Sequence, residues 1–294
     1  MARADLFRLP DKPLICRGVQ PDHAARDIRT PVGDPLLSLA ACRGQTAAKI
    51  DESASVAVFG RMDVPPPELI ALPSGSARVE WRRSARARRI SLRIDPSDGA
   101  IVVTLPPRAS RRAGLVLLTH HVDWVSERIA ALPRQVAFAD GAEVPVSGVP
   151  HRIRHRPDAH GGAWLADGEL HVTGAPEFLP RRVGDFLRAE AKRRLAEMVA
   201  AKTQAAGVAA RRVTVKDTSS RWGSCAPDRS LAFSWRLIFT PDFVQDYVAA
   251  HEVAHLRHMN HGPLFWALVE QLTPHRPTAV PWLRKNGAAL LRIG

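Results

Sequence analysis

Residues 251–261 read His-Glu-Val-Ala-His-Leu-Arg-His-Met-Asn-His, which contains the pattern H-E-x-x-H followed six positions later by another histidine. On a helix, His251 and His255 lie four residues apart, so both imidazoles project from one face within reach of a single metal ion. Glu252 flanks that ion, where it can take a proton from metal-bound water and pass it to a leaving group. The alternative is a polar helix with surface histidines. We favour a metal site because the third histidine makes a chance match rarer.

The third ligand has to be chosen among His258, His261 and Glu270. If the helix continued, His258 would lie about 10 Å along the axis from His251, too far for both rings to bind one ion at about 2 Å. Residues 259–263 indicate a helix stop, since they offer an asparagine for a left-handed cap and a proline for the first turn of a new helix. The chain can then bring His261 back to the metal. A three-histidine site that keeps a position for water is the catalytic kind of zinc site.

The helix that carries the motif is predicted to run from Pro241 to about His258, with a capping residue before it. Tyr247, the only tyrosine of the chain, lies one turn before His251. It can donate a hydrogen bond to an oxyanion or pack in the core, and the packed arrangement is the more common one. The apolar segment 264–269 predicts a second helix that is buried behind the site.

Upstream of the motif, residues 221–225 read Arg-Trp-Gly-Ser-Cys, and residues 231–238 predict a strand. Together with the motif, these segments resemble the YgjP-like metallopeptidase family, which is related to the WLM and SprT-like zinc proteases. The matching stretches are RWGSC, SWRLIFTP and HEVAHLRHMNHGPLFW. The resemblance is most specific over 218–272 and continues more loosely back to about residue 76.

The resemblance implies a zincin-like protease core in which Glu252 is the catalytic acid/base and Zn²⁺ binds three histidines, His251, His255 and His261. Ser234 stands where the family pattern has asparagine, and Gly262 stands where it has serine. Glycine also caps helices, so the second departure is mild. The role of RWGSC is left open, with a strand or turn on the substrate side of the metal as one hypothesis.

Two residues of the RWGSC segment have chemistry of their own. Arg221, if it reaches the cleft, can stabilise an oxyanion. Cys225 is either a redox-sensitive or inhibitory thiol or, more commonly, a small buried side chain. With Cys16 and Cys42 it makes three cysteines, too few and too scattered for a disulfide framework. This cysteine usage favours a reducing compartment.

Length and composition limit the class of protein. A chain of 294 residues with 45% hydrophobic content can bury a sizeable core. The N-terminus has charges and prolines where a signal peptide needs an apolar run, and no stretch of about 18 apolar residues predicts a membrane span. We therefore expect a soluble cytoplasmic protein with no membrane partner.

The net charge of +13 is unevenly distributed. Residues 1–75 carry nine Lys or Arg and nine Asp or Glu, so the whole excess lies in residues 76–294. Residues 1–75 also contain nine of the 24 prolines, which predicts a poorly structured extension. Arginines cluster near the first predicted hairpin and are candidate contacts to nucleic acid or nucleotide phosphate: Arg86, Arg88 and Arg89. A solvated arginine-rich face explains them equally well.

Hydrophobic periodicity predicts an α+β fold, with a β-rich half at 76–178 packed on a helical, metal-binding half at 179–294. The predicted elements are a hairpin within 78–105, a helix over 111–132, short strands over 144–173 and a helix over 181–205.

Three classes of function remain open on the sequence. The leading hypothesis is a zinc metallopeptidase, a hydrolase with a protein or peptide substrate. The second is a metal-dependent nucleotide pyrophosphatase, an activity also assigned within the resembling family and one that the arginine excess would suit. The third is a nucleic-acid-associated module with a mainly structural zinc. Peptide and nucleoside triphosphate turnover separate the first two classes.

Overall fold

The computed structural model describes residues 14–15, 68–72 and 75–294, and among them the strands form three sheets. The sheets lie in the N-terminal and central parts of the chain, and most helices lie in the C-terminal part, which confirms the predicted α+β class. The strands are β1 (Leu14–Ile15), β2 (Glu68–Leu72), β3 (Gly75–Arg83), β4 (Ser91–Ile94), β5 (Ile101–Leu105), β6 (Glu143–Val146), β7 (Val149–His155), β8 (Ala163–Ala166), β9 (Glu169–Val172), β10 (Arg212–Lys216), β11 (Gly223–Cys225) and β12 (Ser230–Ser234). The α-helices are α1 (Arg111–His120), α2 (Val122–Ala130), α3 (Leu179–Ala206), α4 (Asp242–Ala254), α5 (Pro263–Leu272) and α6 (Arg276–Leu290).

The first sheet has the strand order β1-β4-β5-β3-β2. The predicted hairpin is β4–β5, in which Leu92 lies opposite Val103 in antiparallel register, whereas β3 runs parallel to β5. The predicted poorly structured extension 1–75 lies outside the described residues, except that β1, β2 and the first residue of β3 fall within it. The boundary between 75 and 76 therefore remains a prediction.

Helices α1 and α2 cover the first sheet and share its core. The sequence predicted one helix over 111–132, and the structure corrects this to two. The interruption is at His121, whose φ of −116° and ψ of 23° leave the helical region. Leu118 and Val125, on either side of the interruption, are both buried in the same core.

The second sheet has the order β6-β7-β9-β8 and confirms the short strands predicted over 144–173. Its β6–β7 turn is held against the start of α4. The backbone N–H of Ser147 donates to the carbonyl of Ile238 at 2.7 Å, and Gly148, with φ of +78°, packs against Pro241. Since α4 carries the histidine motif, the second sheet helps to orient the site.

Helix α3 confirms the predicted helix over 181–205 and packs against α4 and the third sheet. Its inward positions are Val183, Leu187, Leu195 and Val199, all buried. The third sheet has the order β10-β12-β11, with β10 parallel to β12 and β11 antiparallel to it. Strand β11 is thus an edge strand among the described residues.

The strand predicted over 231–238 is shorter than expected. Strand β12 ends at Ser234, and a 3-10 helix follows at Trp235–Phe239. All five residues of this turn are buried, whereas a strand points successive side chains to opposite faces. Arg236 donates from Nη1 to the carbonyl of Ile293 at 2.8 Å, which ties the turn to the last residues of the chain.

The last residues also contact the first sheet. Arg292 donates from Nη1 to the carbonyls of Pro96 and Ser97 at 3.2 and 3.3 Å, in the turn between β4 and β5. The backbone N–H of Gly294 donates to the carbonyl of Val136 at 2.9 Å. These bonds form a C-terminal joint, defined here as residues 292–294 and their partners, between the first sheet and the rest of the fold.

Candidate metal centre

The histidine motif spans the end of α4 and the loop that precedes α5. The sequence predicted a helix from Pro241 to about His258, but the structure shows α4 from Asp242 to Ala254. After Val253 the hydrogen bonding changes from the α-helical to the 3-10 type, because the N–H groups of residues 256 and 257 donate to carbonyls only three positions earlier. The loop therefore starts four residues sooner than expected and turns back toward His251.

Three imidazole groups converge at this point. The Nε2 atom of His251 lies 3.2 Å from Nε2 of His255 and 3.1 Å from Nε2 of His261. The ligand atoms of all three lie within 4.8 Å of one another. Tetrahedral Zn²⁺ with Zn–N bonds of about 2.0–2.1 Å places its nitrogen ligands about 3.3 Å apart. Both distances from His251 match this spacing, so the three imidazoles could hold a single metal ion.

The two other candidate ligands lie outside this cluster among the described residues. His258 contributes its backbone carbonyl, which lies 3.1 Å from Nδ1 of His255. A hydrogen bond from Nδ1–H to this carbonyl leaves the Nε2 lone pair of His255 free to bind a cation. Glu270 instead pairs with Arg276, with an N···O distance of 3.4 Å. The geometry thus favours His261 over both alternatives.

Burial keeps the imidazoles of His251 and His255 in the form that binds metals. Burial, together with the neighbouring His255 and His261 rings and Arg276, lowers the pKa of His251 to about 2. Burial also lowers the pKa of His255. A neutral imidazole has a free lone pair, and a protonated one does not. These two imidazoles are therefore ready to accept a cation at neutral pH.

Glu252 is the buried carboxyl group of the site, with 2% of its surface exposed. Burial raises its pKa to about 8, and the nearby Arg221 guanidinium acts in the opposite direction. Both effects are expected, since loss of water disfavours the charged carboxylate and a positive neighbour favours it. Glu252 can thus exchange a proton near neutral pH, as a general acid/base must.

Aromatic side chains of α5 form the wall behind the histidines. The ring of Phe265 is fully buried, and its centroid lies 4.9, 4.6 and 4.7 Å from those of His251, His255 and His261. The Trp266 ring stacks on His261 at 5.6 Å. Sequence reasoning predicted a buried helix here but did not assign these two rings to the site. The sequence did contain a signal for them, because Phe265 and Trp266 follow His261 by four and five residues.

Arg276 connects the metal centre to a neighbouring cavity. Its guanidinium carbon lies 3.8 Å from the centroid of the Trp266 ring. The cavity has a volume of about 390 Å³ and is mainly apolar. It is lined by Glu270, Thr273, Pro274, Arg276, Pro277, Val280 and Pro281. Space for an apolar group therefore lies beside the cluster.

The remaining candidates divide between the site and other parts of the fold. Arg221 is exposed and lies close enough to Glu252 to act on its pKa, so it belongs to the site. Tyr247 packs against His251 with ring centroids 6.1 Å apart and is fully buried, and burial raises its pKa to about 12. The predicted oxyanion contact from Tyr247 is therefore not favoured, and the packed arrangement is.

The three candidate phosphate-binding arginines, Arg86, Arg88 and Arg89, are exposed in the connection between β3 and β4. This connection belongs to the first sheet, whose core cluster is separate from the one that contains α4. The arginines therefore belong to the part of the chain that carries the first sheet. Their contact with nucleic acid or phosphate remains a prediction.

Cys225 is half-buried at the end of β11, and its thiol is expected to react slowly. Burial, aided by the nearby Glu252 carboxyl group, raises its pKa from 9.0 to about 11. At pH 8 the thiolate fraction is then about 100-fold smaller than for an unperturbed thiol. Alkylation by iodoacetamide, followed by mass spectrometry of the Cys225 peptide, should show a rate at least about 50-fold below that of the same cysteine in unfolded protein.

Alkylation should accelerate as the pH rises toward 11, because the thiolate forms only there. The chain unfolded in guanidinium is the matched control, since it contains the same cysteine without burial. A native rate within tenfold of the unfolded rate at pH 8 would show a reactive thiol and restore the redox hypothesis.

Three convergent imidazoles, with a buried glutamate next to the first of them on the same helix, define a metallopeptidase type of domain. The YgjP-like, metallopeptidase domain family matches residues 88–286, which is more than half of the chain. The chain belongs to the YgjP-like metallopeptidase family, as the sequence motifs indicated. Comparison with curated proteins and with solved structures gives no significant match.

Membership of this family implies a bound metal and a protein or peptide substrate. It gives nucleic-acid binding no support. Within the described ranges, every helix is too short or too polar to cross a lipid bilayer.

Proposed function

We propose that the chain is a zinc-dependent peptidase in which Glu252 is the general base and acid, and the metal ligands are His251, His255 and His261. The convergence of three imidazole nitrogens beside a buried glutamate carries this proposal. Three nitrogen ligands suit zinc and leave a position open for water or substrate. When bound, zinc supplies Lewis-acid polarisation of the scissile carbonyl and of the attacking water.

Glu252 performs the proton transfers in this proposal. Its carboxylate accepts a proton from the attacking water while the water oxygen bonds to the scissile carbon. The carboxyl group then gives this proton to the amine nitrogen as the C–N bond breaks. Arg221 favours the carboxylate form before the reaction, because its positive charge opposes the effect of burial on the pKa of Glu252. Arg221 is also the candidate contact for the negative charge that develops on the carbonyl oxygen.

The edge strand β11 supports a peptide substrate. It pairs with β12 on one side and is the last strand of its sheet among the described residues. Its first residue, Gly223, lies against the Glu252 side chain. An extended peptide that adds to this edge would place its carbonyl groups next to Glu252. A nucleotide has no peptide backbone that could pair with this edge strand.

The nucleotide pyrophosphatase alternative needs cationic side chains near the cluster, and Arg221 and Arg276 lie there. Arg276 is engaged by Glu270 and by the Trp266 ring, so only Arg221 is available for a phosphate among these two. The peptidase is the better supported of the two activities.

Substrate turnover by the purified full-length chain tests the proposal. With one equivalent of zinc, we expect cleavage of fluorescein-labelled casein and of quenched fluorescent peptides, and no release of pyrophosphate from nucleoside triphosphates. The Glu252→Gln variant, purified in parallel, serves as the control for a contaminating protease. Pyrophosphate release that requires Glu252, without peptide cleavage, would replace the peptidase with the pyrophosphatase.

A further inference from the structure

We infer that Gly223 is a positioning residue, whose missing side chain opens the space in which the Glu252 carboxyl group is held beside the three imidazoles. This inference rests on the proposed function, in which Glu252 transfers the proton. It also gives a role to the centre of the RWGSC segment, which the sequence left open.

The space at Gly223 is filled by Glu252. A Cβ atom built on Gly223 would lie 2.6 Å from Cγ and 2.7 Å from Cδ of Glu252, closer than the 3.0 Å below which real Cβ contacts essentially never occur. The backbone itself does not need glycine, because Gly223 has no positive φ and pairs with Phe233 as an ordinary strand residue. The requirement for glycine therefore comes from the carboxyl group across from it.

The backbone on either side of this contact cannot easily move away. The preceding Trp222 is 2% exposed, and its carbonyl accepts a hydrogen bond from the N–H of Ser234 at 2.8 Å. On the other side, Glu252 lies on the most buried part of α4. A protein interior packed in this way resists an added methyl group. The Glu252 side chain, and not the backbone, is therefore the part that an alanine at this position would displace.

Strand geometry supports the same orientation independently. Gly223 and Cys225 are two residues apart on β11, so they face the same side of the sheet. The Glu252 carboxyl group, which lies against Gly223, is also near enough to the Cys225 thiol to contribute to the rise of its pKa, as a position on that side requires. By contrast, a Cβ built on Gly262, next to His261, meets nothing within 4 Å. Close packing is thus a property of Gly223 and not of every glycine around the motif.

The first test measures turnover by the zinc-loaded Gly223→Ala variant of the full-length chain on a quenched fluorescent peptide. We expect kcat to fall by about 10- to 100-fold, because a displacement of a catalytic group by about 1 Å costs up to about 100-fold. KM should change by less than about threefold, and zinc should stay near one per chain, since the histidines are untouched. Gly184→Ala is the matched control, because the added methyl group there meets only the mobile end of Arg188 within 3.0 Å. An unchanged kcat in Gly223→Ala would overturn the inference.

The second test does not depend on catalysis. In the wild-type background, Gly223→Ala should lower Tm by about 4 °C or more, as overpacking does. In the Glu252→Ala background, where the space is open, the same substitution should lower Tm by less than about 1 °C. If Gly223→Ala folds only together with Glu252→Ala, the inference is also supported. An equal loss of Tm or of folding in both backgrounds would overturn it. If this dependence is seen but the wild-type chain cleaves no peptide, the proposed function fails while the contact stands.

Discussion

Replacement of Glu252 by glutamine is expected to reduce peptide hydrolysis by about 10²- to 10⁴-fold, the range that general acid–base catalysis contributes. Zinc content should remain at about one ion per chain, because the amide leaves the three imidazoles in place. Folding stability should not fall, because a neutral amide at a site with 2% exposure avoids the cost of burying a charge. Initial rates on a quenched fluorescent peptide and zinc analysis of the same samples check these expectations together.

Glu197→Gln is the matched control for this variant. Glu197 is an exposed residue of α3, whose carboxylate pairs with Arg193 on the surface at 2.7 Å. Glu197→Gln should leave the rate of peptide hydrolysis unchanged, since residue 197 lies outside the metal centre. Wild-type turnover in Glu252→Gln would remove Glu252 from the mechanism.

Replacement of His261 by alanine is expected to lower zinc affinity by more than about 100-fold, since even the loss of a residue that only orients a ligand costs about 10- to 100-fold. The Nε2 atom of His261 lies 3.1 Å from that of His251, and an alanine removes one of three nitrogens. Zinc content after dialysis should fall from about one ion per chain toward zero. Peptide hydrolysis should fall with it.

His258→Ala distinguishes this loss from a general effect on the loop. His258 contributes a backbone carbonyl to the site, and alanine keeps this group. The variant should therefore keep zinc and activity. A different result would be zinc that stays at one ion per chain in His261→Ala but is lost in His258→Ala or Glu270→Gln. The third ligand would then be the residue whose replacement removes the zinc.

The metal cluster was predictable because its signals are local. His251 and His255 are one helical turn apart, and an asparagine, a glycine and a proline between residues 260 and 263 indicate that the helix stops before His261. The position of the helix end was not predictable to the residue. The structure ends α4 at Ala254, where bonds to carbonyls three positions earlier begin and the His255 ring lies within hydrogen-bond distance of the His258 carbonyl.

The parts that sequence reasoning missed depend on contacts between distant segments. Gly223 and Glu252 are 29 residues apart, and their contact follows from the packing of β11 against α4. Likewise, the alternation of apolar and polar residues in β3 and in β5 does not show that these two strands pair in parallel. Periodicity shows which face of an element is buried, but it does not show what that face meets.

The C-terminal joint bears on the order in which the protein acquires its structure during synthesis. Arg292 is made 196 residues after Pro96, the residue whose carbonyl it binds. At ribosomal rates of about 5–20 residues per second, this gap corresponds to about 10–40 seconds. The hairpin β4–β5 is thus synthesised well before Arg292, which binds the turn between its two strands. The residues of the first core are all made before those of the second core, and the C-terminal joint can form only after residues 292–294 have been made.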